Sequence, residues 1–151
     1  MVAPLAERQA VVELKLGIRQ DGSWCDFWAK DVWVRGKIDV VLMPPGPIAA
    51  IFDHKTGGSK FERPFELAIG ALMLRAKYPH LTTIKGRYIW LKEDRIGGEH
   101  DLSDTEATMT EVKAIASQIE HNRSTGVFAK TPSGLCGFCD VMDCQYNRKQ
   151  Q

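Results

Sequence analysis

Asp39, Asp53 and Lys55 place two carboxylates and one amine on what read as neighbouring strands, the two acids fourteen positions apart. Side chains on a strand alternate faces, so Asp53 and Lys55 project together while His54 points the other way. If Asp39 faces the same side, three charged groups converge. Adjacent carboxylates repel each other at neutral pH unless a divalent cation lies between them, and hard oxygens suit Mg²⁺ or Mn²⁺. A lysine beside them can orient or help deprotonate a water, or stabilise charge building on a phosphate. The plainer alternative is solvated strand ends carrying an ion pair worth little. Against it, Asp39 sits inside an apolar run, where a carboxylate without a partner is costly to desolvate. A second constellation is Cys136, Cys139 and Cys144, a Cys-x₂-Cys-x₄-Cys cluster. Its spacing lets thiolates share one metal, as in zinc knuckles and iron–sulfur sites. Three soft ligands need a fourth, and His121 or Asp140 stays open for zinc.

The elements that must carry these residues can be read in outline. The run 32–43 is apolar and β-branched, Pro44-Pro45-Gly46-Pro47 forces a turn, and Ile48 to Phe52 forms a second run. Together they read as a β-hairpin. A strand near 11–19, a turn at Asp21-Gly22-Ser23 and aromatic strand material over 24–34 precede it. Trp24, Phe27, Trp28 and Trp33, clustered on predicted strands, read as core, with stacking on unpaired bases as the functional alternative. Pro64 suits a first helical turn, and 65–77 carries apolar residues at helical spacing. A strand over 84–92 and a Gly97-Gly98 turn follow. Ser103-Asp104-Thr105-Glu106 then supplies N-cap chemistry for a second helix, with Met109, Val112, Ile115, Ala116 and Ile119 on one stripe. The order expected is β-β-β-α-β-α, in the α/β (α+β) class.

Gly36-Lys37-Ile38-Asp39 followed by Asp53-His54-Lys55-Thr56-Gly57 resembles the core of the PD-(D/E)XK nuclease superfamily, in its RecB-like and phage exonuclease branch. The likeness covers roughly residues 30–75 and, through a separate motif, the cysteine tail. It implies a restriction-endonuclease-like core, a central mixed β-sheet flanked by helices. It also implies a metal-dependent DNA nuclease, exonuclease in preference to endonuclease, in DNA repair, recombination or phage DNA processing. Carried over residue by residue, Asp39 and Asp53 hold the catalytic Mg²⁺ or Mn²⁺ and Lys55 assists the attacking water. Relatives bear Gln-x-x-x-Tyr on the next helix, where this chain has Glu66 and Gly70. Glu66 can hydrogen-bond Lys55 as an accessory group but cannot donate to a phosphate, and an exposed first-turn acid favoured by the helix dipole is an equal alternative. Glu7 and Glu13 are the candidates to complete the metal site at the N-terminus, although each reads more simply as solvent-facing. In several RecB-like nucleases one N-terminal cysteine closes a [4Fe-4S] cluster with three C-terminal ones. The resemblance lends that role to Cys25, with Zn²⁺ as the other cofactor the cysteines could take, while a lone Cys beside Trp24 also reads as a small buried hydrophobe. The departures at Glu66, Gly70 and the N-terminus favour a rival reading: a non-catalytic DNA-binding or assembly module with a degenerate nuclease site and a structural zinc knuckle.

With 151 residues, 44% of them hydrophobic and 26% charged, the chain can bury a core without disulfides. The expected layout is a nuclease-like domain over 1–130 and a metal-binding tail over 131–151 packed on it. No apolar run approaches a membrane span and no secretory leader opens the chain, so a cytoplasmic, reducing setting is expected, and no membrane partner. A net charge of +1 gives no global argument for nucleic acid. DNA, the expected partner alongside recombination or replication proteins, would be met by local groups: Arg35, Lys37, Lys55, Lys60 and Arg63. P-loop, dinucleotide-binding, zinc-protease and serine-hydrolase motifs are missing from the sequence. Gly57-Gly58-Ser59-Lys60 reads as a plain strand-to-helix connection.

Overall fold

The computed structural model describes residues 10–59 and 62–147. Glu7 and Lys60, singled out above, lie outside them. The chain comprises two compact units, Met1–Ala114 and Ile115–Gln151.

The first unit is built on a mixed seven-stranded sheet, and the class is α+β. Strands β1 (Ala10–Ile18), β2 (Trp24–Cys25), β3 (Val34–Leu42) and β4 (Ile48–Lys55) lead to helix α1 (Phe65–Lys77). Then come β5 (Thr83–Trp90), a 3₁₀ turn at Leu91–Glu93, β6 (Arg95–Ile96), β7 (His100–Asp101) and helix α2 (Thr105–Thr125), whose first half closes this unit. The path across the sheet is β2-β1-β3-β4-β5-β6, with β7 paired to β5. The β1, β3 and β4 ladders are antiparallel, whereas β4 and β5 run parallel because α1 makes the crossover between them.

The hairpin predicted around Pro44–Pro47 forms, with Gly46 at a left-handed φ of +121° that suits it to the turn. Helix α1 spans the predicted residues and buries Leu67, Gly70, Ala71, Met73 and Leu74 against the sheet. Strand β5 alternates as a half-buried strand should, with Ile84, Gly86, Tyr88 and Trp90 inside. At Gly86 an added Cβ would stand 2.5 Å from Leu102 Cδ1, so a larger residue would have to push that buried side chain aside. Asp104 caps α2, its Oδ1 accepting from Ala107 N at 2.9 Å.

The aromatic stretch differs from expectation. Only Trp24–Cys25 is strand, and the chain then turns, with Ala29 N donating to Asp26 O and Val32 N to Ala29 O, before β3 begins at Val34. These backbone turn bonds override the β propensity of the tryptophans. Trp33 packs against the core, but Trp24 and Trp28 do not join it, and Trp28 is 72% exposed.

Candidate catalytic site and cysteine cluster

The sheet opens where the acidic residues lie. Along β1 and β3 the ladder pairs Val12 with Val40 and Leu14 with Ile38, but not Glu13 with Asp39. Glu13 there takes a left-handed φ of 52°, a conformation that costs a non-glycine residue about 1 kcal/mol or more. On the other side, the β3–β4 ladder ends at Val40 and Phe52, while β4 stays paired with β5 as far as Lys55 and Trp90. Strands β3 and β4 therefore part company just at Asp39 and Asp53.

Alternation also slips there. Gly36 and Ile38 face α1, where Met73 and Gly70 meet them, yet Val41 pairs with Ile51, which also reaches Gly70. Residues three apart cannot share a face in a regular strand, so β3 changes phase between Ile38 and Val41. Asp53 and Lys55, in phase with Ile51, face α1. Asp39 falls in phase with Arg35 and Lys37, on the opposite side. Its Oδ2 accepts from the backbone N–H of His54 at 2.9 Å and lies 3.5 Å from His54 Nδ1. That bond supplies the partner a carboxylate inside an apolar run needs, and it fills the gap left by the missing ladder pair.

Three of the anticipated residues come together: Asp53, Lys55 and Glu66. Lys55 Nζ donates to Glu66 Oε2 at 2.6 Å and lies 2.9 Å from Asp53 Oδ2. The second approach is a charge contact out of line for hydrogen bonding, so Asp53 Oδ2 is fully buried with no hydrogen-bond partner. The Asp53 side chain is 17% exposed. Burial raises its pKa above the usual carboxylate value; the Lys55 ammonium opposes this, and the charges of Glu66 and Asp39 add to it. Burial works against the charge of Lys55, but the adjoining carboxylates of Asp53 and Glu66 outweigh it and raise its pKa above that of an ordinary lysine. Lys55 is thus a fixed cation. Its ammonium also lies 5.4 Å from the ring centre of Tyr88, whose hydroxyl donates to Arg63 O at 2.6 Å. A cavity of about 250 Å³ opens beside the cluster, lined by Arg35, Gly36, Ile38, Asp53, Glu66 and Gly70 among others.

Whether these groups suit a divalent cation turns on the donor set. Among the described residues no three His, Cys, Asp or Glu side chains are already gathered to hold a metal. A Mg²⁺ site of the kind that acts on phosphates needs less, since the ion keeps several waters and takes one or two carboxylates plus the substrate's oxygens. A buried carboxylate oxygen with no donor, beside a second carboxylate and an open cavity, fits that requirement. Glu13 is engaged elsewhere: its Oε1 accepts from Lys37 Nζ at 2.8 Å, which pulls its pKa down.

Sequence reasoning did not anticipate Tyr88, nor the neighbouring Glu62, which accepts from Trp90 Nε1 at 3.1 Å and lies 2.8 Å from His100 Nε2. Both depend on β5 and β7 lying beside the site, a pairing no local signal announces.

In the second unit, Cys136, Cys139 and Cys144 line one cavity of about 360 Å³ with Asp143 and Tyr146. All three are free thiols. A 3₁₀ helix over Gly134–Phe138 is capped by Ser133, whose backbone N–H donates to Cys136 Sγ at 3.3 Å. Asn147 Nδ2 ties the following loop by donating to the carbonyls of Cys139 and Val141. The three sulfurs line one cavity without being drawn together as a ready metal site, and as soft donors they would suit Zn²⁺ or an iron–sulfur cluster better than a hard ion. Cys25, in the first unit, is 2% exposed, paired with Gly17 across the sheet, and burial raises its thiol pKa. It packs as a small hydrophobe.

No protein-family model matches the chain, and no curated protein or solved structure is significantly similar to it. No helix among the described residues is long and apolar enough to cross a membrane.

Proposed function

We propose that this chain is a metal-dependent deoxyribonuclease of the PD-(D/E)XK kind, with a restriction-endonuclease-like core. The observation that carries the reading is the buried, donor-less Asp53 Oδ2 beside the fixed cation of Lys55, at the point where the strand bearing Asp39 separates from the strand bearing Asp53. A buried carboxylate left unsatisfied costs about 1–3 kcal/mol, and such costs persist mainly where a site needs them.

Mg²⁺ or Mn²⁺, when bound by Asp53 with Asp39 or Glu66, would supply Lewis-acid polarisation of the scissile phosphate. Lys55, held protonated by its two carboxylate neighbours, donates hydrogen bonds to a phosphate oxygen or orients the attacking water; it is not the base. Glu66 fixes the position of the ammonium beside Asp53. Asp39 braces β4 by accepting from the His54 amide. The motif resemblance, rather than the geometry, leads us to propose exonucleolytic cleavage of DNA in repair, recombination or phage DNA processing, with recombination or replication proteins as partners and a cytoplasmic setting. The cysteines are proposed to hold Zn²⁺ or an iron–sulfur cluster that ties the tail together, since metal binding there becomes folding free energy.

The second reading, a DNA-binding or assembly module without catalysis, is favoured by one feature: Asp39 lies in phase with the face away from Asp53 and Lys55. One experiment separates the two. Wild-type protein and Asp53→Ala are incubated with linear and circular DNA in Mn²⁺; cleavage by the wild type alone supports the enzyme. A wild type that cleaves neither substrate sinks it.

A further inference from the structure

The face of the sheet opposite α1 carries a row of cations beside the exposed ring of Trp28. On β3, Arg35 and Lys37 share a face with Asp39, and across the β1–β3 ladder Lys15 pairs directly with Lys37. Beside them the turn after β2 presents Phe27 and Trp28 edge to face, centroids 4.7 Å apart at 84°. The Arg35 guanidinium lies 5.2 Å from the Phe27 ring centre and 4.8 Å from that of Trp28, and Lys15 Nζ lies 5.9 Å from Phe27. Two facts separate this patch from an ordinary solvated face. Trp28 is 72% exposed, leaving a large apolar ring in water where a core position would have buried it. Arg35 and Lys15 have no ion-pair partner among the described residues, whereas the nearby charges are already matched: Asp31 with Arg19 at 2.5 Å and Lys37 with Glu13 at 2.8 Å.

We infer that Trp28 and Arg35 form a platform for single-stranded DNA, an unpaired base stacking on the open face of Trp28 while Arg35 and Lys15 take the backbone phosphates. Stacking requires a base with a free π-face, which a duplex interior does not offer. Arg35, held over one side of the ring by cation–π attraction and by its hydrogen bond to Phe27 O at 3.4 Å, pre-sets the geometry. The row leads to the candidate site. Arg35 and Asp39 are four residues apart on one strand, about 13 Å at the usual rise, and Arg35 also borders the cavity that holds Asp53. The substrate class named here rests on the nuclease reading for what happens at the end of that path, but binding does not require cleavage.

The test is a titration of the full chain with an oligothymidylate and with a duplex of equal length, in EDTA, following tryptophan fluorescence and anisotropy of a labelled strand. The expected result is preferential binding of the single strand with quenching. Trp28→Ala should weaken it about 5- to 150-fold and remove the Trp28 share of the quench. Trp28→Phe, which keeps an aromatic face, should bind within a few-fold of wild type, controlling for misfolding. Arg35→Gln should flatten the salt dependence by about one phosphate contact. Unchanged binding by Trp28→Ala, equal affinity for the duplex, or no binding by the wild type overturns the platform. Failure of the two ideas can be told apart. A wild type that binds through Trp28 yet cleaves nothing keeps the platform and loses the nuclease, and one that cleaves while Trp28→Ala binds normally does the reverse.

Discussion

Replacing Asp53 by Asn should make the protein more stable at neutral pH while abolishing cleavage. Asp53 Oδ2 is buried without a hydrogen-bond donor, a cost of about 1–3 kcal/mol. Part of that is returned by the Lys55 ammonium 2.9 Å away, but Lys55 is itself 30% solvent-exposed and the pair is worth no more than about 1 kcal/mol. Asn keeps the shape and removes the charge, and Lys55 retains Glu66 at 2.6 Å. The net gain is about 1 kcal/mol, a rise in Tm of about 3 °C for a chain of this size. The pH dependence follows from linkage. Because burial raises the folded-state pKa of Asp53 above its unfolded value of 3.8, the folded state binds the extra proton between those values. Stability therefore falls as pH rises through that window, and the penalty is complete above the folded pKa. The difference between Asp53→Asn and wild type should accordingly be full at pH 7 and vanish towards pH 4. Thermal denaturation in EDTA at a series of pH values measures it. If Asp53→Asn is less stable than wild type at pH 7, or its advantage does not shrink on acidification, the carboxylate is a satisfied structural group and the argument for a metal there fails.

Other outcomes follow from the same geometry. Mn²⁺ at a hundredfold excess over its Kd should stabilise the wild type by about 2.7 kcal/mol but leave Asp53→Asn unmoved; identical Tm shifts in both would show that the ion binds elsewhere. Lys55→Ala should lower cleavage by about 10²–10³-fold. Because its raised pKa keeps Lys55 charged, the wild-type rate should show no loss attributable to this group below pH 10, and a fall with an apparent pKa near 8 traced to Lys55 would contradict that. Gly86→Ala, which sets a Cβ against Leu102 and Leu67, should cost about 1–3 kcal/mol in urea denaturation. Anaerobically purified protein should carry zinc, or show the broad visible band of an iron–sulfur cluster, and Cys139→Ser should lose it; metal-free wild type would argue against the proposal for the tail.

How much of this was readable in the chain depends on the range of the physics involved. The hairpin over β3 and β4, helix α1 and the cap of α2 follow from near neighbours: Pro44–Pro47 forces its turn, the helical stripe of 65–77 survives intact, and Asp104 finds the amide three residues on. That Asp53 and Lys55 share a face apart from His54 is likewise a property of strand alternation, and it held. The stretch after Cys25 departs from its aromatic β propensity because backbone turns at Asp26–Ala29 and Ala29–Val32 prevail there.

What the sequence determined by itself was the set of reactive groups and their local phase: Asp39, Asp53, Lys55, and three cysteines at metal-ligand spacing. What only the tertiary structure decided was how they meet. The phase slip in β3 turned Asp39 to the His54 amide, the crossover of α1 brought Glu66 to Lys55, and the parallel pairing of β5 laid Tyr88 under the ammonium. Those contacts join residues far apart in the chain, and their sign and strength come from burial. A carboxylate reads the same in any sequence, but it becomes an unsatisfied charge only when a fold takes the water away.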